Sequence, residues 1–174
     1  YCKTDLKTDT LLKKTKKNVF ESATINKIVV NIGVKDANIN ANKILPPLLI
    51  TKILTNQQPL LTKAKKSIAN FKLREGKIIG CKATLRNKNM NTFLEKFIHI
   101  VLPQIIENKT LRYKNRKNKN HITLGINDCI IFPELENQYD LLTNLSGIEI
   151  TLCSNEKSTN KDNLFFSGLK ITFQ

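Results

Sequence analysis

The sequence predicts an α+β fold, a two-layer sandwich in which a mainly antiparallel sheet carries helices on one face and leaves the other bare. Three observations lead there. Segments alternating apolar and polar residues with period two are interleaved with segments of helical spacing. The polar side of the alternating segments is rich in Lys, Arg, Asn and Thr, which suits a face left open to a ligand. The chain has 174 residues, 40% of them hydrophobic, enough for one sizeable core. Residues 25–174 are therefore read as a single domain, and residues 1–24 as a basic amino-terminal helix or arm.

Leu6, Leu11 and Leu12 among Lys and Thr make residues 4–18 a weakly amphipathic segment. Residues 25–34 form a strand with Ile28, Val30, Ile32 and Val34 on one face and Lys27, Val29 and Asn31 on the other. Within 38–55, Leu48, Leu49, Ile50, Ile53 and Leu54 have helical spacing. Pro46 and Pro47 fit only in a first turn, so a helix of two turns is expected. Pro59 closes it, and a basic stretch over 62–67 and a polar loop around Arg74, Gly76 and Lys77 follow. A strand over 80–86 sets Cys81, Ala83 and Leu85 against Lys82, Thr84 and Arg86.

Met90, Phe93, Leu94, Phe97, Ile98 and Val101 predict a core helix over 90–102, ended by Pro103. The Lys, Arg and Asn of 109–120 predict an exposed loop. Two more strands are expected near 122–132 and 148–153. A short helix over 161–167 has Asn160 as its cap and Gly168 at its end.

The formal charge is +15, and its placement matters more than its size. Residues 52–120 hold 17 Lys or Arg against 3 acids, whereas residues 121–174 hold 3 Lys against 7 acids. A solubilising surface intersperses both signs, so this asymmetry makes the middle of the chain a face for a polyanion, with nucleic acid first. Lys, Asn and Ile dominate the composition, with 25 Lys to 4 Arg and 21 each of Asn and Ile. Their codons are A- and T-rich, as in an organelle genome.

Catalysis finds no footing. No acids fall into a recognisable pair, and there is neither a glycine-rich phosphate loop nor a nucleophile-elbow serine. His99 is expected to be a partly buried helix residue, and His121 a loop residue beside phosphate or solvent. Cys2, Cys81, Cys129 and Cys153 lack metal-site or redox spacing, so free thiols in a reducing compartment are expected and no cofactor or metal. Apolar stretches are too short to span a bilayer, and the amino-terminal segment lacks the apolar run of a secretory signal.

Order-preserved blocks resemble the universal large-subunit ribosomal protein five family. They begin at Ile25-Asn26-Lys27-Ile28-Val29-Val30-Asn31-Ile32-Gly33-Val34 and run through Thr62-Lys63-Ala64-Lys65-Lys66-Ser67-Ile68-Ala69-Asn70-Phe71-Lys72-Leu73-Arg74-Glu75-Gly76. They continue through Ile79-Gly80-Cys81-Lys82-Ala83-Thr84-Leu85-Arg86 and return at Ile130-Ile131-Phe132-Pro133-Glu134. The family's usual Phe-Arg-Gly-Leu is Asn108-Lys109-Thr110-Leu111 here.

The resemblance implies a structural protein of the central protuberance, bound to 5S rRNA, or its replacement, and to neighbouring large-subunit rRNA. It maps 5S rRNA contacts onto Lys27, Asn31, Gln57 and Thr84, with Lys63, Lys65, Lys66, Lys82 and Arg86 adding charge. It also implies that loop 70–79, through Lys72, Arg74 and Lys77, approaches P-site tRNA, and that a small-subunit protein is met at the subunit interface. With the composition it points to a mitochondrial ribosome, the plastid being the alternative. A non-ribosomal basic RNA-binding or RNA-processing protein is the alternative function.

Overall fold

The computed structural model describes residues 24–34, 37, 40–108, 111–113, 121–136 and 147–155. The expected helices over 4–18 and 161–167, Cys2 and most of the predicted 109–120 loop lie outside them.

Six strands form one sheet in which every pairing is antiparallel, and helices cover one side. They are β1 (Ile25–Gly33), β2 (Leu60–Lys63), β3 (Ile78–Leu85), β4 (Leu111–Tyr113), β5 (His121–Ile126) and β6 (Ile148–Ser154). Their spatial order is β2-β3-β1-β6-β5-β4. The alternation read from the sequence decides which side is covered. Ile28, Val30 and Ile32 of β1, Cys81, Ala83 and Leu85 of β3, and Ile148, Ile150 and Leu152 of β6 are all buried. Gly80 fixes how closely β1, β2 and β3 approach. A Cβ there would lie 2.4 Å from the Ile32 carbonyl oxygen and 3.2 Å from the Thr62 hydroxyl.

Helix α1 (Leu45–Thr55) is one turn longer than expected. The two prolines do sit in its first turn, where no intrahelical N–H is needed, and a 3-10 turn over Ala41–Ile44 leads in. It ends at Asn56, in the left-handed conformation that Asn tolerates. Ile50 and Leu54 pack on the sheet, and the buried Thr51 hydroxyl donates to the Pro47 carbonyl at 2.8 Å and lies 3.2 Å from Cys81 Sγ. Thr55 does likewise, donating to the Thr51 carbonyl at 2.6 Å, so both hydroxyls in the core are satisfied.

The predicted core helix does not stop at Pro103. Helix α2 (Asn87–Lys96) runs into a π turn (Phe97–Val101) and on into α3 (Leu102–Asn108). In the π turn the Leu102 N–H reaches back five residues to the Phe97 carbonyl. The ladder is thus already opened where the proline ring would meet the carbonyl four residues back, so the chain continues past it. Met90, Phe93, Leu94, Phe97, Ile98, Val101, Leu102 and Ile105 are buried as one stripe. His99, expected to be partly buried, is exposed on the outer side of the π turn.

Two more expectations are corrected. Leu111–Tyr113, read as loop, pairs with β5 as the edge strand β4, because the Lys and Arg around it hide a short run with strand register. The strand expected over 122–132 ends at Ile126. Asn127 and Asp128 break it, and a 3-10 turn (Cys129–Ile131) leads into the short helix α4 (Pro133–Glu136). That turn buries Cys129 and Phe132 against the helical layer. The Lys96 ammonium pairs with Glu134 at 2.5 Å, tying α2 to α4.

Candidate nucleic-acid interface

The bare side of the sheet can be laid out from the strand registers. One row across it reads Leu60, Lys82, Asn31, Glu149 and Gly125. The next holds Thr84, Val29, Thr151 and Thr123, and a third holds Lys27, Cys153 and His121. On the other flank Thr62, Gly80 and Gly33 form a strip of small residues. Period-two geometry forces this result. Once 28, 30 and 32 face the helices, 27, 29 and 31 must face away. Lys27, Asn31, Lys82 and Thr84 thus share one surface, as their alternation predicts, and His121 is a half-buried strand residue there rather than a loop residue.

Few groups on this face carry charge, and most are held. Asn31 donates from Nδ2 to Glu149 Oε2 at 3.2 Å. Gln57, just past the end of α1, donates from Nε2 to the Thr84 carbonyl at 3.3 Å, which places it at the β3 edge of the face. Its main-chain carbonyl accepts from the Thr55 hydroxyl at 3.2 Å. The hydroxyls of Thr123 and Thr151 lie 3.2 Å apart. Lys82 is exposed and Lys27 half-buried, while Arg86 stands exposed at the junction of β3 and α2.

A second basic surface lies beside the first. The connection between β2 and β3 occupies residues 64–77 rather than the 70–79 read from the sequence, since β2 ends at Lys63 and Ile78 and Ile79 belong to β3. It is folded on itself. The Ala64 N–H donates to the Lys77 carbonyl at 2.8 Å, and the Gly76 N–H returns to the Ala64 carbonyl at 3.0 Å. Ile68 and Leu73 exchange two backbone bonds of 2.9 and 3.1 Å around a 3-10 turn (Ala69–Phe71). Lys72 closes that turn with φ of 50°, an uncommon value for a residue other than glycine. The Glu75 N–H donates to the Ser67 hydroxyl at 2.9 Å.

Lys65, Lys66, Lys72, Arg74 and Lys77 are exposed on this loop, and Lys63 at its root. The structure thus groups Lys65 and Lys66 with the loop cations rather than with the sheet face. Sequence reasoning missed Phe71, 72% exposed, and Ile68, 42% exposed, at the same tip. The available signal was an aromatic residue inside a Lys-rich run with no helical or strand period to bury it.

Among the described residues no three of His, Cys, Asp and Glu come together. Cys81, Cys129 and Cys153 are free. Burial pushes the Cys81 thiol up, against its hydrogen bond with Thr51, which lowers it. Burial, with help from the Asp128 charge, pushes Cys129 up to about 12. Both thiols are therefore protonated and unreactive at neutral pH. No helix among the described residues is long and apolar enough to cross a membrane.

Comparison with known proteins places the chain in a family. Residues 18–74 match the family described as ribosomal protein L5, and residues 78–173 match the description of that ribosomal family's C-terminus. The large ribosomal subunit protein uL5m of Reclinomonas americana is 42% identical over 147 residues, covering 84% of this chain and 81% of that protein.

Proposed function

The chain belongs to the ribosomal protein L5 family, a structural and non-enzymatic constituent of the large ribosomal subunit that associates with its rRNA, and from this membership we propose how its two surfaces are used. The sheet face, through Lys27, Asn31, Gln57, Lys82, Thr84 and Arg86, holds 5S rRNA or the RNA that replaces it, together with neighbouring large-subunit rRNA. Loop 64–77, through Lys72, Arg74 and Lys77, touches P-site tRNA, and a small-subunit protein is met at the subunit interface. The ribosome is mitochondrial, supported by the uL5m relative and by the Lys, Asn and Ile bias.

The observation that carries this reading is that the two adjoining surfaces hold their polar groups differently, bonded to neighbours on the sheet and exposed on the loop. Amides and hydroxyls held in fixed positions on a flat sheet suit ribose and phosphate groups that stay in place for the life of the particle. A projecting loop of exposed cations suits a partner that leaves every cycle, because contacts of that kind are screened by salt and released quickly. Phe71 adds a ring at the tip on which a nucleotide can stack.

The test is sedimentation of the tagged protein in a mitochondrial lysate, with sequencing of the RNA bound to it. Co-migration with large subunits and recovery of 5S or central-protuberance rRNA is expected. Recovery of large-subunit rRNA from another region alone would move the sheet face elsewhere on the subunit.

A further inference from the structure

The bare sheet face of this strongly basic protein has a carboxylate near its centre. Glu149 of β6 lies in register with Asn31 of β1, which lies in register with Lys82 of β3. The amide therefore sits between an anion and a cation on neighbouring strands, and it bonds the anion, with Nδ2 donating to Glu149 Oε2 at 3.2 Å. An ionised carboxylate only accepts hydrogen bonds, so this contact admits one amide orientation and excludes the flipped one. The Asn31 carbonyl oxygen takes no hydrogen bond among the described residues.

Gln57 is held in the same sense. Its Nε2 donates to the Thr84 carbonyl, also an acceptor only, and its Oε1 takes no hydrogen bond among the described residues. Two amides are thus fixed in orientation, each with one N–H engaged and with its carbonyl oxygen turned away from that bond and available. A phosphate oxygen cannot donate to a carbonyl, and beside Glu149 it would meet a like charge. A ribose 2′-hydroxyl can both donate and accept.

We infer that Glu149 is a positioning residue for RNA recognition: it orients the Asn31 amide so that this part of the sheet reads ribose 2′-hydroxyls and leaves phosphates to the Lys82 side. The inference rests on the proposed rRNA reading of the sheet face. It assigns the chain's preference for RNA over DNA to an acid, where charge counting alone would make that acid a liability.

The experiment compares binding of a 5S rRNA transcript and an all-2′-deoxy oligonucleotide of the same sequence by the full chain. The variants are Glu149→Gln, Glu149→Asp, Asn31→Ala and the double Asn31→Ala/Glu149→Gln, with circular dichroism confirming each fold. The wild-type chain prefers RNA, and Glu149→Gln lowers that preference by about tenfold, the usual scale for one lost polar contact. Glu149→Asp keeps most of the preference, because the acceptor-only group remains. Asn31→Ala has little further effect once Glu149 is Gln. If Glu149→Gln instead tightens RNA and DNA by the same factor, Glu149 merely repels phosphate and the inference is overturned. Equal binding of RNA and DNA by the wild-type chain overturns it too, while leaving the rRNA reading in place. Wild-type binding to neither overturns the 5S reading and this inference with it.

Discussion

The open sheet face and loop 64–77 lie side by side on one chain, yet their polar groups are held in different ways. On the sheet, Asn31, Gln57, Thr123 and Thr151 are tied to neighbours, and the charges are few. On the loop the backbone is bonded to itself, while the side chains of Lys65, Lys66, Lys72 and Arg74 extend into solvent. Ordering a free lysine costs side-chain entropy when it binds, whereas a group already held has lost that freedom on folding. Under the proposed function, the sheet serves a permanent, geometrically selective partner and the loop a transient, electrostatic one.

The largest effect that would break this comparison comes from the strand packing beneath both surfaces. Gly80→Ala forces a methyl group against the Ile32 carbonyl, and we expect a loss of about 1–3 kcal/mol in stability, read by thermal unfolding. Because Gly80 pairs with β1 and β2 together, the sheet face and the loop root should fail together. A variant as stable as wild type would mean that the sheet tolerates a shifted β3 and that the rows described above are not rigid.

Next in size are Asn31→Ala and Thr84→Ala, each expected to weaken 5S rRNA binding by about 1–2 kcal/mol with the fold intact, as when a desolvated partner is left without its bond. Replacing Lys72, Arg74 and Lys77 by Ala should show the opposite signature. Affinity for tRNA at low salt falls, and its log-log salt slope becomes shallower by roughly 0.7–0.9 for each phosphate contact removed. Sheet variants that flatten the salt slope as the loop variant does would erase the distinction between the surfaces.

The sheet face was legible in the sequence because period two leaves no freedom. Ile28, Val30 and Ile32 inside put Lys27 and Asn31 outside, and the same holds for Cys81, Ala83 and Leu85 against Lys82 and Thr84. What was not legible depended on partners distant in sequence or on backbone detail. Asn31 and Glu149 are 118 positions apart, and no local pattern joins them. Pro103 reads as a helix stop unless the π turn before it is known, and that same turn changes which way His99 faces. The edge strand Leu111–Tyr113 is three residues long in a run of cations, too short to show alternation. The loop was recognised as basic and polar, but the backbone bonds that leave Phe71 outside are not written in composition.

The smallest expected effect concerns the core that both surfaces share. Cys129 ionises near 12 in the folded chain against 9.0 as its ordinary value, so the folded state binds the proton more tightly. The contribution of this thiol to stability is complete below pH 9 and is lost as the pH rises from about 9 toward 12. Cys81 adds to the trend in the same direction. Unfolding midpoints measured from about pH 7 to about pH 10.5 should fall at the alkaline end, and less so for Cys129→Ala. Rapid alkylation of Cys129 in the folded chain at neutral pH would contradict the burial on which this rests.

The division of labour between the two surfaces is tested most directly by incorporation into the particle. Cells expressing tagged Asn31→Ala/Thr84→Ala or tagged Lys72→Ala/Arg74→Ala/Lys77→Ala are lysed, and the fraction of each variant that sediments with large subunits is measured beside the retention of P-site tRNA. The account predicts that the sheet variant is depleted from subunits. The loop variant should enter them at nearly the wild-type level and yield ribosomes that lose tRNA readily at low salt. A loop variant that fails to assemble, beside a sheet variant that assembles normally, would contradict it.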